Sequence, residues 1–178
     1  MTAVSIRTDG THLTPIERCL NSWHSVLSGD RAALESLIAA DAVFRSPVVF
    51  TPQRGRDLVL LYLTGASMTF GGDGTPDVAA GAGGSEAPAA TPTTTDPDGN
   101  PWDGRFRYVR RVTGTHDAVL EFETTMQGTY VNGVDMIRCD DSGTIVDFTV
   151  MIRPLQAVNA VHRAMGATLE RMKAQGGA

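Results

Sequence analysis

Asp135 is the residue whose surroundings in the sequence most invite chemistry. It lies in Val134-Asp135-Met136-Ile137-Arg138-Cys139, a stretch with strand alternation, so Asp135 shares the face of Ile137 and Cys139. A carboxyl turned into an apolar hollow resists ionisation, which makes it a proton donor or a hydrogen-bonding anchor for a ligand. The competing reading is an Asp that caps a loop or pairs with an arginine at the mouth of a barrel. Ser22 and Ser46 are small hydroxyls that could bond a ligand oxygen or equally satisfy the backbone. Trp23 and Tyr62 sit on apolar helical stripes; such aromatics are core residues first, and Tyr62 also has a hydroxyl to place.

Other reactive side chains are scattered. His12, His24, His116 and His162 share no metal-ligand spacing, so no metal site is expected. Cys19 and Cys139 are isolated in apolar patterns and read as buried thiols rather than a disulfide. There is no phosphate-binding loop, dinucleotide fingerprint or G-x-S-x-G elbow, and no cofactor is implied.

Positioning these residues requires a framework, and the hydrophobic periodicity supplies one. Thr14-Pro15-Ile16-Glu17 is a helix start, and Ile16, Cys19, Leu20, Trp23, Val26 and Leu27 follow at helical spacing. Ser28-Gly29-Asp30 ends that helix and caps a second, whose buried face is Leu34, Leu37 and Ile38. Asp41 opens a strand from Ala42 to Phe50, placed at an edge or bulged because it contains Pro47. After Gly55 a third helix runs from 56 to about 68, with Leu58, Leu61, Tyr62 and Leu63 on its apolar side. The period then becomes two: Phe106, Tyr108, Arg110 and Val112 alternate with Arg107, Val109 and Arg111. A second strand runs from Val119 to Gln127, a third from Val134 to Cys139 and a fourth from Ile145 to Ile152. Asn132-Gly133 reads as a turn or bulge and Asp140-Asp141-Ser142-Gly143 as a hairpin turn. Pro154 starts a last amphipathic helix carrying Val158, Val161, Met165 and Leu169.

These elements predict an α+β class, with a curved, mostly antiparallel sheet, three N-terminal helices enclosing an apolar pocket, and a C-terminal helix. The expected organisation is a flexible tail at 1–13, one domain over 14–174 and a short tail at 175–178. Within the domain, 71–104 is a flexible Gly/Ala/Pro/Thr-rich insertion with almost nothing to bury, of which Pro101 and Trp102 are the part expected to dock back.

At 178 residues and 42% apolar content the chain can bury a sizeable core. A net charge of −5 gives no electrostatic footprint for nucleic acid and no polybasic membrane patch. No apolar run is long enough to span a bilayer, and 1–14 carries no signal-like apolar region, so a cytoplasmic location is expected.

The order of elements, with Leu27-Ser28-Gly29-Asp30, Asp41-Ala42-Val43-Phe44-Arg45-Ser46-Pro47, Gly55 and Gly133-Val134-Asp135, resembles the NTF2-like superfamily. Within it the chain looks most like the SnoaL-like polyketide-cyclase and ketosteroid-isomerase branch, from Ile16 to Leu155 apart from the insertion. The resemblance implies a cone-shaped pocket domain. Carried over position by position, the isomerase base, an Asp before a Pro, falls on Ser46 before Pro47. Its helix-one tyrosine falls on Ser22, and its buried second Asp falls on Asp135. A serine cannot abstract a carbon-bound proton unaided, so steroid isomerisation is expected to be absent or very poor. Polyketide cyclases of this fold use a buried Asp alone, which Asp135 matches. Limonene-epoxide hydrolases need an Arg-x-Asp strand pair, and here that spacing occurs only at Arg7/Asp9 and Arg138/Asp140.

Two functions therefore stand. One is a pocket that binds a hydrophobic, steroid- or polyketide-like small molecule without a complete catalytic set. The other is a cofactor-free isomerase, cyclase or lyase with Asp135 as lone acid/base. In both, Ser22, Trp23, Phe44, Ser46, Val48, Tyr62, Phe122 and Phe148 would contact the ligand. A homodimer through the outer face of the sheet, carrying Arg107, Val109, Glu121, Glu123 and Thr149, fits either.

Overall fold

A computed structural model describes residues 13–70, 94–95, 99 and 101–176. Residues 1–12, most of the expected insertion and 177–178 lie outside the described residues.

Helix α1 (Pro15–Leu27) begins where the sequence signals it. The Thr14 hydroxyl accepts from the Glu17 N–H, the Glu17 carboxylate accepts from the Thr14 N–H, and Pro15 occupies the first helical position. Helix α2 (Arg31–Leu37) is capped by Asp30, which accepts from the Ala33 N–H. It is shorter than expected. Ile38, assigned from the sequence to the helix face, instead opens strand β1 (Ile38–Arg45), where it pairs with Ile145 and is fully buried. The same strand stops at Arg45, five residues before the expected Phe50, because Pro47 has no N–H to give and pushes Ser46 out of regular pairing.

Strand β2 (Gln53–Arg54) and helix α3 (Arg56–Phe70) follow. Strands β3 (Thr94–Thr95) and β4 (Pro101–Trp102) form a separate two-stranded pair, and Trp102 is buried. The main meander is β5 (Arg107–Thr113), β6 (Asp117–Met126), β7 (Thr129–Cys139) and β8 (Ile145–Arg153), and α4 (Leu155–Gly176) closes the chain. The six-stranded sheet has the order β2-β1-β8-β7-β6-β5, parallel only between β1 and β8.

Two details depart from the sequence expectation and matter for the site. The β6–β7 hairpin turns at Gln127-Gly128, whose φ values of 48° and 76° suit a two-residue primed turn, and not at Asn132-Gly133. Gly133 lies inside β7 because nothing larger fits. A Cβ there would stand 2.5 Å from both the Phe122 ring and the Met151 carbonyl oxygen. Second, a bulge between Tyr108 and Arg110 breaks the alternation of β5. Tyr108 pairs with Phe122 and Arg111 with Leu120 on the concave side, while Arg110 pairs with Glu121 on the convex side. Tyr108 and Arg110, expected on one face, are thus on opposite faces.

Buried side chains form two clusters. The first joins α1, α2, β1 and the sheet through residues such as Leu20, Trp23, Phe44, Leu120, Ile137 and Phe148. The second lies under α4, whose Ala157, Ala160, Val161 and Met165 pack on Phe122, Met126 and Val131. Tyr62, Tyr108 and Val150 pack against both. Both cysteines are free and buried, and burial pushes the Cys19 thiol up to about 12. Among the described residues no helix is long and apolar enough to cross a membrane.

Candidate functional site

Asp135 sits at the middle of β7, in register with Leu120 of β6 and Val150 of β8, and is 5% exposed. Strand alternation alone turns it inward, as the buried Val131, Gly133, Ile137 and Cys139 confirm. Its Oδ2 accepts a hydrogen bond of 2.5 Å from the Tyr108 hydroxyl. The Tyr108 oxygen in turn accepts one of 2.9 Å from the Trp23 indole N–H. Three elements, α1, β5 and β7, therefore meet in one directed chain: indole to phenol to carboxyl.

Burial pushes the Asp135 carboxyl up to about 7, against a smaller downward pull from the Tyr108 hydrogen bond. Tyr108 is held well above its ordinary value by burial first and by the nearby Asp135 charge second. Around neutral pH Tyr108 is therefore neutral, while Asp135 stands near the midpoint between its neutral and ionised forms. Among the described residues every side-chain nitrogen or oxygen sealed from solvent has a hydrogen-bond partner. Among the described residues Tyr108 is the one hydrogen-bond partner of Asp135 and engages Oδ2, which leaves Oδ1 unbonded and not fully sealed from solvent.

Aromatic rings surround this chain. Trp23 meets Phe148 edge-on at 5.2 Å, Phe148 lies 6.1 Å from Phe44, and Phe44 lies 5.5 Å from Tyr62. On the other side Phe106 stands 5.2 Å from both Tyr108 and Phe122. Val48 packs against the second cluster. The Tyr62 hydroxyl makes no hydrogen bond among the described residues. The His24 ring lies 6.3 Å from that of Tyr108, its pKa lowered by partial burial and by Arg111.

The structure thus brings Asp135, Trp23, Phe44, Tyr62, Val48, Phe122 and Phe148 around one seam between the two clusters. It leaves two expected residues out. Ser22 is exposed on the outer side of α1, and its hydroxyl returns to the Arg18 carbonyl, so it cannot reach Asp135. Ser46 is half-buried just past β1, with its oxygen accepting from the Val48 N–H as a local turn. Tyr108 was not singled out from the sequence. The alternation puts it on one face with Phe106, Arg110 and Val112, but its pairing with Asp135 spans the intervening β6 and depends on the β5 bulge.

On the convex face Arg107 binds Glu123 at 2.5 Å, Arg110 binds Glu121 at 2.6 Å and Tyr130 donates to Glu123 at 2.9 Å. Trp102 covers Arg107 at 5.2 Å, and Arg107 and Tyr130 together give the buried Glu123 side chain its hydrogen-bond partners. A surface groove of about 420 Å³ lined by Ala40 and residues 54–58 is made of none of the residues around Asp135. Among the described residues no three His, Cys, Asp or Glu side chains converge as metal ligands.

No family model matches the sequence, and no curated protein matches it. Solved structures do. A steroid delta-isomerase from Pseudomonas aeruginosa is 29% identical over 90% of this chain and 95% of its own, with a TM-score of 0.68. An uncharacterised bacterial protein with a cystatin-like fold from Silicibacter pomeroyi is 27% identical over 84% of this chain and 83% of its own, TM-score 0.60. The chain has the NTF2-like fold and is similar to a solved steroid delta-isomerase. An NTF2-like protein of unknown function from Mesorhizobium loti shares the fold at 18% identity, with a TM-score of 0.54 over 79% of this chain and 92% of its own. Of the three positions the resemblance singles out, Asp135 is buried and takes a phenol from β5, while Ser46 sits in a local turn and Ser22 faces outward.

Proposed function

We propose that this NTF2-like protein binds a hydrophobic, oxygenated small molecule, steroid- or polyketide-like in class, by holding one ligand oxygen at Oδ1 of Asp135. The observation that carries the reading is a carboxyl, buried among apolar side chains, with one oxygen bonded to Tyr108 and the other unbonded among the described residues. Protonated, Asp135 donates to a carbonyl; ionised, it accepts from a hydroxyl. The likeness to a steroid delta-isomerase supports the ligand class. The ligand would lie along the seam where Tyr62, Tyr108 and Val150 meet, and a ring system entering it requires α4 to ease off Phe122 and Met126.

A second reading, a cofactor-free isomerase or cyclase with Asp135 as lone acid/base, is favoured by a carboxyl poised at about 7 beside a phenol. Thermal-shift binding of keto-steroids and aromatic polyketides to the wild type and Asp135→Asn, followed by product analysis, separates the two. Stabilisation of both chains with no turnover supports binding alone; turnover that vanishes in Asp135→Asn supports the enzyme. No stabilisation by any of these ligands defeats both. The convex face, with Val119 and Met151 exposed beside the Arg110–Glu121 pair, is proposed as the surface that pairs with a second copy, testable by sedimentation of Met151→Arg.

A further inference from the structure

We infer that Trp23 is a positioning residue of this site: by occupying the Tyr108 oxygen, its indole N–H fixes the direction of the hydrogen-bond chain and leaves Oδ1 as the one atom of Asp135 that carries a proton toward a ligand. This inference rests on the ligand-oxygen role proposed for Asp135. An indole N–H donates and cannot accept, and a phenol has a single proton. With the Trp23 N–H 2.9 Å from the Tyr108 oxygen, the phenol proton has one acceptor in reach, Asp135 Oδ2 at 2.5 Å. Tyr108 therefore donates to Oδ2 whether Asp135 is ionised or not, and the acid proton is favoured on Oδ1. Without Trp23, a neutral Asp135 could turn its proton onto the Tyr108 oxygen, where it serves no ligand.

Trp23 has a second effect in the same direction. A donor on the phenol oxygen polarises its O–H and strengthens the bond it gives to the carboxylate. Trp23 thereby favours the ionised form of Asp135, in keeping with the downward pull it exerts on Tyr108 itself. Among the described residues the other titratable or charged groups that face this chain are few. They are His24 and Cys19 from α1, Arg111 from β5, Tyr62 from α3 and Cys139 from β7. The facing side chains of β6, β8 and α4, such as Leu120, Val150 and Val161, are apolar. Trp23 is retained at the core by its edge contact with Phe148, which a phenylalanine can keep.

The test uses the whole chain labelled with carboxyl carbon-13 aspartate, with the Asp135 resonance assigned by its loss in Asp135→Asn. The expected midpoint rises by about 0.5–1 pH unit in Trp23→Phe. In a Tyr108→Phe background, Trp23→Phe should add nothing further, since its effect passes through the phenol. In the wild type, the indole N–H signal that survives Trp102→Phe should move with the same midpoint as the Asp135 carboxyl; this holds the inference testable even if Trp23→Phe does not fold. An unchanged midpoint, an equal shift in the Tyr108→Phe background, or an indole signal flat through the Asp135 titration overturns it. None of these readouts uses a ligand. Failure of keto-steroids to bind would remove the ligand reading while leaving the measured direction of the chain intact.

Discussion

Replacing Asp135 by asparagine should stabilise the protein at high pH and leave it nearly unchanged at low pH. Asparagine keeps an oxygen for the Tyr108 hydroxyl and offers an N–H where the neutral acid offers its proton, so it mimics the protonated form. In the folded chain the acid titrates at about 7, above its ordinary 3.8, because burial penalises the charge. A carboxyl raised by folding contributes stability that is fully present below the unfolded value and is lost as pH rises to the folded one. The gap corresponds, at about 1.4 kcal/mol per pH unit, to roughly 4 kcal/mol of wild-type stability lost between about pH 4 and 7 and not regained above it. Asp135 is 5% exposed, so screening by water does little to reduce that figure. Every other ionisable group is common to both chains, and subtracting their pH profiles isolates Asp135. Urea unfolding of wild type and Asp135→Asn at intervals from pH 4 to 8 measures the difference. Profiles that run parallel across the range would refute the buried, neutral-leaning acid and with it the proton-donor role.

Tyr108→Phe removes the acid's hydrogen bond. The Asp135 midpoint should then rise further, with a stability loss of about 1–3 kcal/mol near neutral pH, read by carboxyl NMR and urea unfolding. Gly133→Ala forces a methyl against the Phe122 ring and the Met151 carbonyl and should lower stability by about 3 kcal/mol or more; an unchanged melting temperature would show that β7 can move aside. Ser46→Asp puts a carboxylate where the resemblance places the isomerase base, but Ser46 is held in a local turn outside the seam, so isomerisation of a 5-ene-3-keto steroid, followed by absorbance of the conjugated product, should stay at the wild-type level; measurable turnover would show that residue 46 reaches the ligand. Ser22→Ala, on an exposed helix face, should leave ligand-induced stabilisation unchanged.

What could be read in advance followed the range of the interactions involved. Thr14, Pro15 and Glu17 announce α1 because capping is decided within four residues. The inward turn of Asp135 was legible because strand parity is local. The end of α2 was not, since Ile38 leaves the helix to pair with Ile145 more than a hundred residues away. Asn132-Gly133 has the composition of a turn, but its glycine answers to the Phe122 ring across the sheet, while the less conspicuous Gln127-Gly128 makes the hairpin. Ser22 was placed at the site by analogy with a tyrosine on the same helix. Its side chain proves too short and points outward, and the phenol arrives from β5 instead. That substitution between elements leaves no local trace, because it needs the fold to bring residues 108 and 135 together.

The bulge in β5 carries a consequence for how this site can be lost. One supernumerary residue lets a single strand satisfy two incompatible demands, a phenol aimed inward at Asp135 and an arginine aimed outward at Glu121. Deleting Val109, an exposed residue whose side chain takes no part in the hydrogen-bond chain, would restore even alternation and swing one of these two side chains to the wrong side of the sheet. The site is therefore fragile to a change in length where it is tolerant to a change in side chain. Descendants of this chain that shed a residue there would keep Trp23, Tyr108 and Asp135 in their sequence and yet lose the arrangement that joins them.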